Sequence, residues 1–321
     1  MKHHLFIFNF KKMKKLIKNI FYFIPFLFIV YVLNIILWAE VAHPLFKKNL
    51  NYKIGSYGHM YSRILDIKNY NNVDILFLGS SHAYRGFDTR IFKKNNLKVF
   101  NLGSSGQTAA QTKVLLNRYL DHLNPKLVIY EVYPSFLTGD GVESSLDIIA
   151  NDKIDFNSLL MALEINNIKT YNALIYGYYK EIIGSKRNYI EHKIINDDEY
   201  VPGGYVERKI KYFDKKKLRQ KKIKLIDYQM ESFNEIVDLL KENNIELLLI
   251  YAPVTHVDYN RYENNNFYDS LMYKKAKYYN FNKLMNLDDS KHFYDSHHLN
   301  QRGVKVFNNE VIRLLKKEII K

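Results

Sequence analysis

The chain has 321 residues, 47% of them hydrophobic, which suffices for one substantial domain plus additional segments. It has no cysteine, so disulfides, zinc–thiolate sites and thiol catalysis are excluded, while the compartment is left open. Forty-eight Lys and Arg against 33 Asp and Glu give a formal net charge of +15, a surplus suited to membrane surfaces or anionic polymers; with no nucleic-acid-binding motif beside it, nucleic acid is not an expected partner.

Residues 1–18 carry Lys2, Lys11, Lys12, Lys14, Lys15 and Lys18 and no acid. From Ile20 to Ala39 the chain is uncharged and rich in Phe, Ile, Leu and Val. About 20 apolar residues cross a bilayer as a helix, so 19–39 is predicted to be a transmembrane helix rather than a buried core helix. The lysine-rich flank places 1–18 in the cytoplasm and the rest of the chain outside it, in a periplasmic or extracellular position. The apolar run exceeds the h-region of a signal peptide, and Ala39-Glu40-Val41-Ala42 lacks the spacing of an Ala-x-Ala cleavage site, so the helix is expected to remain as an anchor. Residues 40–72 read as a juxtamembrane connector.

A new pattern starts at Val73. Asp74-Ile75-Leu76-Phe77-Leu78 is a strand-length apolar run of the kind buried on both faces of a parallel sheet, and it stops at Gly79-Ser80-Ser81-His82. A second strand is expected at Lys98–Leu102, a helix over Gln107–Leu123, and a third strand at Lys126–Val132 after Pro125. Strand, helix and strand in this order imply right-handed parallel crossovers. From about 135 to 222 the alternation lapses into an insertion with helices expected at Phe156–Glu164 and Tyr171–Ile183. Arg208–Lys224 holds ten Lys or Arg and one acid, either a solvated face or a contact for anionic lipid or an anionic polymer. The alternation returns with a helix over Ile226–Asn243, a strand at Ile245–Tyr251, a helix over Phe267–Tyr279, a weak last strand at Phe281–Leu287 and a helix from Gln301. The expected fold over 73–321 is a three-layer α/β/α domain around a parallel sheet, flavodoxin-like.

Ligands of open α/β sheets bind beyond the carboxyl ends of the strands, where Gly79-Ser80-Ser81-His82 and Ala252-Pro253-Val254-Thr255-His256 would lie. Alone, the first reads as a strand end followed by a serine helix cap. The second half of a chemical pair stands at Asp295-Ser296-His297-His298. A serine hydroxyl needs a base, and the base needs a third group to hold it; one turn of backbone brings Asp295 to His298. His82 and His256 are further crevice candidates, each open to the plainer reading of a loop histidine.

Together these residues resemble the SGNH (GDSL-like) hydrolase superfamily. Gly79-Ser80-Ser81 stands where that family has Gly-Asp-Ser, and Asp295 to His298 where it has Asp-x-x-His. Asn101-Leu102-Gly103-Ser104-Ser105-Gly106-Gln107-Thr108 resembles its second block, whose glycine gives an oxyanion-hole amide. The strand before Tyr133-Pro134 stands where the third block begins, without that block's glycine and asparagine. The resemblance implies Ser81 as nucleophile, His298 as base, Asp295 as its partner, and the amides of Ser81 and Gly106 as oxyanion donors. Asn101, His82, His256 and His297 are then candidate substrate contacts, and no metal or cofactor is expected. With the membrane anchor, the chain is most similar to the branch serving acyl transfer to cell-surface polymers, such as the teichoic-acid D-alanyl transfer and alginate O-acetylation proteins. That similarity implies ester chemistry on a cell-envelope polysaccharide, by transfer or hydrolysis, beside a membrane-bound O-acyltransferase. The alternative is a non-catalytic polysaccharide-binding or scaffold component.

Overall fold

Four consecutive apolar residues, Ile75–Leu78, form strand β1, and all four are buried because the strand has a neighbour on each edge and a helical layer on each face. The computed structural model describes residues 10–55, 58–186, 188–214 and 217–318. The first nine residues of the basic N-terminal segment, and positions 215 and 216 of the 208–224 run, lie outside the described residues. Strands β2 (Val99–Asn101) and β3 (Leu127–Glu131) flank β1. Three short strands follow, β4 (Ile194–Ile195), β5 (Asp198–Val201) and β6 (Tyr205–Arg208), and the main sheet is completed by β7 (Glu246–Tyr251) and β8 (Lys277–Asn280).

The main sheet is entirely parallel, in the order β2-β1-β3-β7-β8. This is the flavodoxin-like order, with the topological switch between β1 and β3. Alternate residues serve opposite layers. Leu76, Leu78, Val128, Tyr130 and Leu249 join one core with helices Ala109–Leu123 and Asp227–Glu242. Ile75, Phe77, Ile129, Leu248 and Ile250 face the other, filled by Phe87, Phe92 and Phe307. The three-layer α/β/α expectation therefore holds.

Two sequence readings need correction. The strand expected at Phe281–Leu287 is instead β8 at Lys277–Asn280, and Phe281–Leu284 is a short helix. The Asn280 side chain accepts the amide of Asn282 and so ends the strand by capping that helix. The preceding helix correspondingly stops at Tyr273. Within 135–222, β4, β5 and β6 form a separate antiparallel sheet, the last two joined through Pro202-Gly203-Gly204. A Cβ on Gly204 would lie 2.1 Å from the Asn101 carbonyl oxygen, so this turn seats directly on the end of β2.

Residues 40–72 are more than a tether. Helix Met60–Asp66 buries Met60 and Tyr61, and the guanidinium of fully buried Arg63 donates to the Gly58 and Gly204 carbonyls. The N-terminal helix Phe10–Val41 contains a stretch, Lys12–Val41, long and apolar enough to cross a membrane.

Candidate active site

The carboxyl end of β1 turns on Gly79, whose φ of +134° is open to glycine. A Cβ there would come within 2.9 Å of the Glu131 carbonyl oxygen and 3.1 Å of Ala83. Ser80 then caps helix Ser81–Gly86; its buried hydroxyl faces inward and shares a 3.1 Å hydrogen bond with His82 Nδ1. Ser81, the first helical residue, points the other way, with Oγ 2.8 Å from His298 Nε2. The local turn thus separates the two hydroxyls.

The opposing loop is closed by an antiparallel bridge between Phe293 and Leu299 and by the Tyr294 amide donating to the His298 carbonyl at 2.8 Å. Asn300 anchors it, donating to the Lys211 and Lys291 carbonyls and capping helix Gln301–Glu318. Inside the loop, Asp295 Oδ1 accepts the amides of His297 and His298 at 2.9 and 2.8 Å, while Oδ2 lies 2.8 Å from His298 Nδ1. Burial opposes the Asp295 charge, but the hydrogen bond from His298 and the two nearby imidazoles outweigh it and hold the carboxyl well below the usual range. An ionised carboxylate only accepts, so the proton sits on His298 Nδ1 and Nε2 is left to accept from Ser81. The loop is also tied to the end of β7, where the Thr255 amide donates to the Ser296 carbonyl at 3.2 Å.

His82 is packed beneath this relay. Its ring stacks on Tyr133 at 4.1 Å between centroids and on His298 at 4.8 Å. Tyr133 is fixed in turn, its hydroxyl donating to the buried Asp258 at 3.0 Å. Burial, reinforced by the two neighbouring imidazoles, lowers the His82 pKa well below the ordinary histidine value. His297 lies beside His298, ring centroids 4.2 Å apart, with Nδ1 3.1 Å from the Ser296 hydroxyl rather than on Ser81. Burial and His298 lower its pKa to about 4.

One ring nitrogen from each of His82, His297 and His298 falls within 4.8 Å of the others, the only such group among the described residues. Both nitrogens of His298 are already engaged, by Ser81 and Asp295, which leaves no free lone pair on that ring for a metal ion.

Of the remaining candidates, Gly106 lies in an exposed turn at φ +59°, and the Ser81 amide, first in its helix, has no intrahelical acceptor. The Glu143 carboxyl stands beside Gly106 and accepts the Ser105 hydroxyl at 2.7 Å. Asn101 is fully buried; its amide donates to the Ala83 carbonyl and its oxygen accepts the Gly103 amide, which pins the second block against the Ser81 helix instead of facing the crevice. His256 is exposed and paired through Nδ1 with Asp289 at 2.8 Å.

Four features escaped the sequence reading. Arg208, counted there as one of a basic run, ends β6 with its guanidinium 4.4 Å from the centre of the Tyr294 ring, on the edge of the Asp295–His298 loop. Arg85, one turn after Ser81, forms a two-pronged pair with Asp198 of β5 at 2.8 and 2.7 Å. A cavity of about 290 Å³ between them is lined by Gly58, His59, Ser105 and Arg208, so both the connector and the insertion contribute walls to a pocket beside the Ser81 helix. Glu131 lies behind Gly79, fully buried at the end of β3, and burial pushes its pKa up to about 8.

The sequence matches no protein-family model and no curated relative. Its structural neighbours are GDSL-like lipases, acylhydrolases and carbohydrate esterases. A Bacteroides fragilis protein described as an acylhydrolase is 14% identical, with 82% of this chain and 98% of that one covered and a TM-score of 0.41. A GDSL-like lipase from Bacteroides thetaiotaomicron is 12% identical over 82% of this chain and all of that one, at a TM-score of 0.42. The family 3 carbohydrate esterase of Clostridium thermocellum is 13% identical over 77% and 98% of the two chains, at a TM-score of 0.35.

Proposed function

We propose that the chain is a membrane-anchored serine esterase or O-acyltransferase that acts on O-acyl esters of a cell-envelope polysaccharide. The observation that carries this reading is the unbroken relay of two 2.8 Å contacts from Ser81 Oγ through His298 to Asp295. In this mechanism Ser81 Oγ attacks the ester carbonyl carbon as its proton passes to His298 Nε2. Asp295 stabilises the resulting imidazolium through Nδ1–H. The amides of Ser81 and Gly106 receive the negative oxygen of the tetrahedral intermediate. Collapse expels the alcohol, which takes the proton from His298, and leaves the acyl group on Ser81. His298 then deprotonates the acceptor, water for hydrolysis or a sugar hydroxyl for transfer, which attacks the acyl carbon; the bond to Ser81 Oγ breaks and the proton returns from His298 to Ser81.

The polysaccharide substrate, the extracytoplasmic position and a partner O-acyltransferase are supported by the lysine-flanked apolar helix and by the resemblance to polymer-acylating proteins. A non-catalytic, glycan-binding role is the second reading. It is favoured by the missing third-block asparagine and by the Glu143 carboxyl beside Gly106, where it would oppose an oxyanion. Reaction of the full chain in detergent with a fluorophosphonate, followed by mass spectrometry, separates the two. The adduct should map to Ser81, vanish in Ser81→Ala and persist in Ser80→Ala. An adduct on Ser80, or none in folded protein that binds glycan, rejects the acyl-enzyme.

A further inference from the structure

Helix Phe156–Ile165 is apolar on both sides. Met161, Ala162 and Ile165 are buried in the domain, while Phe156, Leu159, Leu160 and Leu163, at positions i, i+3, i+4 and i+7, form a single face left 42–70% exposed. A helix that is hydrophobic all round belongs in a non-aqueous setting, and here only half of it has one.

The next helix fixes where the other half lies. Ile168–Ile182 follows after the two-residue turn Asn166-Asn167 and packs against Phe156–Ile165. This second helix packs along the apolar N-terminal helix, with Tyr31 donating to Asn172, and with Tyr176 and Lys180 both on Glu40, at 3.0 and 3.3 Å. Ile168–Ile182 therefore lies along the Tyr31–Glu40 end of the apolar helix, where a span of about 20 residues leaves the bilayer, and Phe156–Ile165 is held beside it at that boundary. Asn166 and Asn167 use their side-chain oxygens within the turn, on the Tyr171 hydroxyl and the Lys169 amide, which suits a shallow insertion.

We propose that Phe156–Ile165 is a membrane-surface helix whose Phe156, Leu159, Leu160 and Leu163 face is sunk in the leaflet beside the anchor, giving the catalytic domain a second, non-spanning attachment to lipid. The inference rests on Lys12–Val41 crossing the bilayer. It fixes the height and orientation of the domain, since two attachments remove the swivel that one helix would allow.

The absence of native cysteine permits a direct test. Single-cysteine variants Leu160→Cys, Leu163→Cys, Phe28→Cys and Lys305→Cys of the full chain are labelled with an environment-sensitive fluorophore and reconstituted into phosphatidylcholine vesicles. Nitroxide-bearing lipids are then added as quenchers. Labels at 160 and 163 should be quenched several-fold more than the label at 305, on the exposed side of the last helix, with 28 reporting the spanning helix. Quenching at 28 but not at 160 or 163 overturns the proposal and leaves the anchor standing. No quenching at 28 removes the anchor and the proposal with it.

Discussion

Glu131→Gln should make the protein more stable at alkaline pH and remove most of its loss of stability between pH 5 and 8. The carboxyl lies at the end of β3 with one oxygen accepting the Ala252 amide at 3.4 Å and the other without a partner. Burial raises its pKa from 4.5 to about 8, with backbone amides from Tyr133 and Ala252 only partly opposing the rise. The folded protein therefore holds this proton over a range where the unfolded chain has released it. For a carboxyl with a raised folded value, stability is complete below the unfolded pKa and declines as pH climbs toward the folded one. A rise from 4.5 to about 8 corresponds to an upper limit of roughly 5 kcal/mol, of which about 3–4 kcal/mol falls between pH 5 and 8. Gln keeps the shape and remains neutral throughout. The assay is a series of circular-dichroism melts of detergent-solubilised wild type and variant from pH 5 to 8.5. At ~2–4 °C per kcal/mol, the gap between the two melting temperatures should widen by about 10 °C across that range. Parallel curves would mean that Glu131 is ionised in the fold or reached by water, and the burial argument would fail.

Three further outcomes follow from the site. His298→Ala should lower fluorophosphonate reaction at least about a thousandfold, whereas His297→Ala should keep most of it, because only His298 contacts Ser81; the reverse order, with both variants folded, refutes the relay. Asp295→Asn preserves the loop shape but no longer holds the proton on Nδ1, so ester turnover should drop by about 10⁴-fold; retention of turnover would separate Asp295 from the chemistry. His82→Ala should slow labelling by about 2–10-fold, the loss of one aromatic contact, and His82→Phe should recover part of it. If Phe recovers nothing, the ring nitrogens of His82 matter more than its stack.

The sheet and both ends of the candidate relay were legible because each depends on local pattern. An apolar run ending in Gly79 has few alternatives to a buried strand, and Asp295 and His298 are close enough in sequence for one turn to join them. What could not be read depends on distant contacts. Lys277-Tyr278-Tyr279-Asn280 looks like the tail of the preceding helix until Tyr279 and Asn280 are seen paired with Ile250 and Tyr251. Asn101 lies in the motif that suggested a crevice contact, yet its side-chain amide donates to the carbonyl of Ala83, on the Ser81 helix eighteen residues earlier. His82 offered a local base or a substrate contact from its position alone; only the folded chain brings Tyr133 and His298 against its ring. Glu131, acidic in an otherwise apolar strand, was the one signal in plain view that went unused.

The insertion shows why such distant contacts matter to the reading of function. At one end, helix Ile168–Ile182 is fastened to the apolar N-terminal helix through Asn172, Tyr176 and Lys180. At the other, β5 and β6 border the crevice, with Asp198 gripping Arg85 of the Ser81 helix and Arg208 lying over Tyr294 of the histidine loop. The same insertion that meets the apolar helix therefore also touches both halves of the Ser81–His298 pair. A free-standing esterase acting on a soluble ester has no need of that link. An enzyme of the kind proposed above, meeting an acyl donor or acceptor at a membrane, does, because the link would hold Ser81 at one height above the bilayer instead of letting the domain swing about the helix.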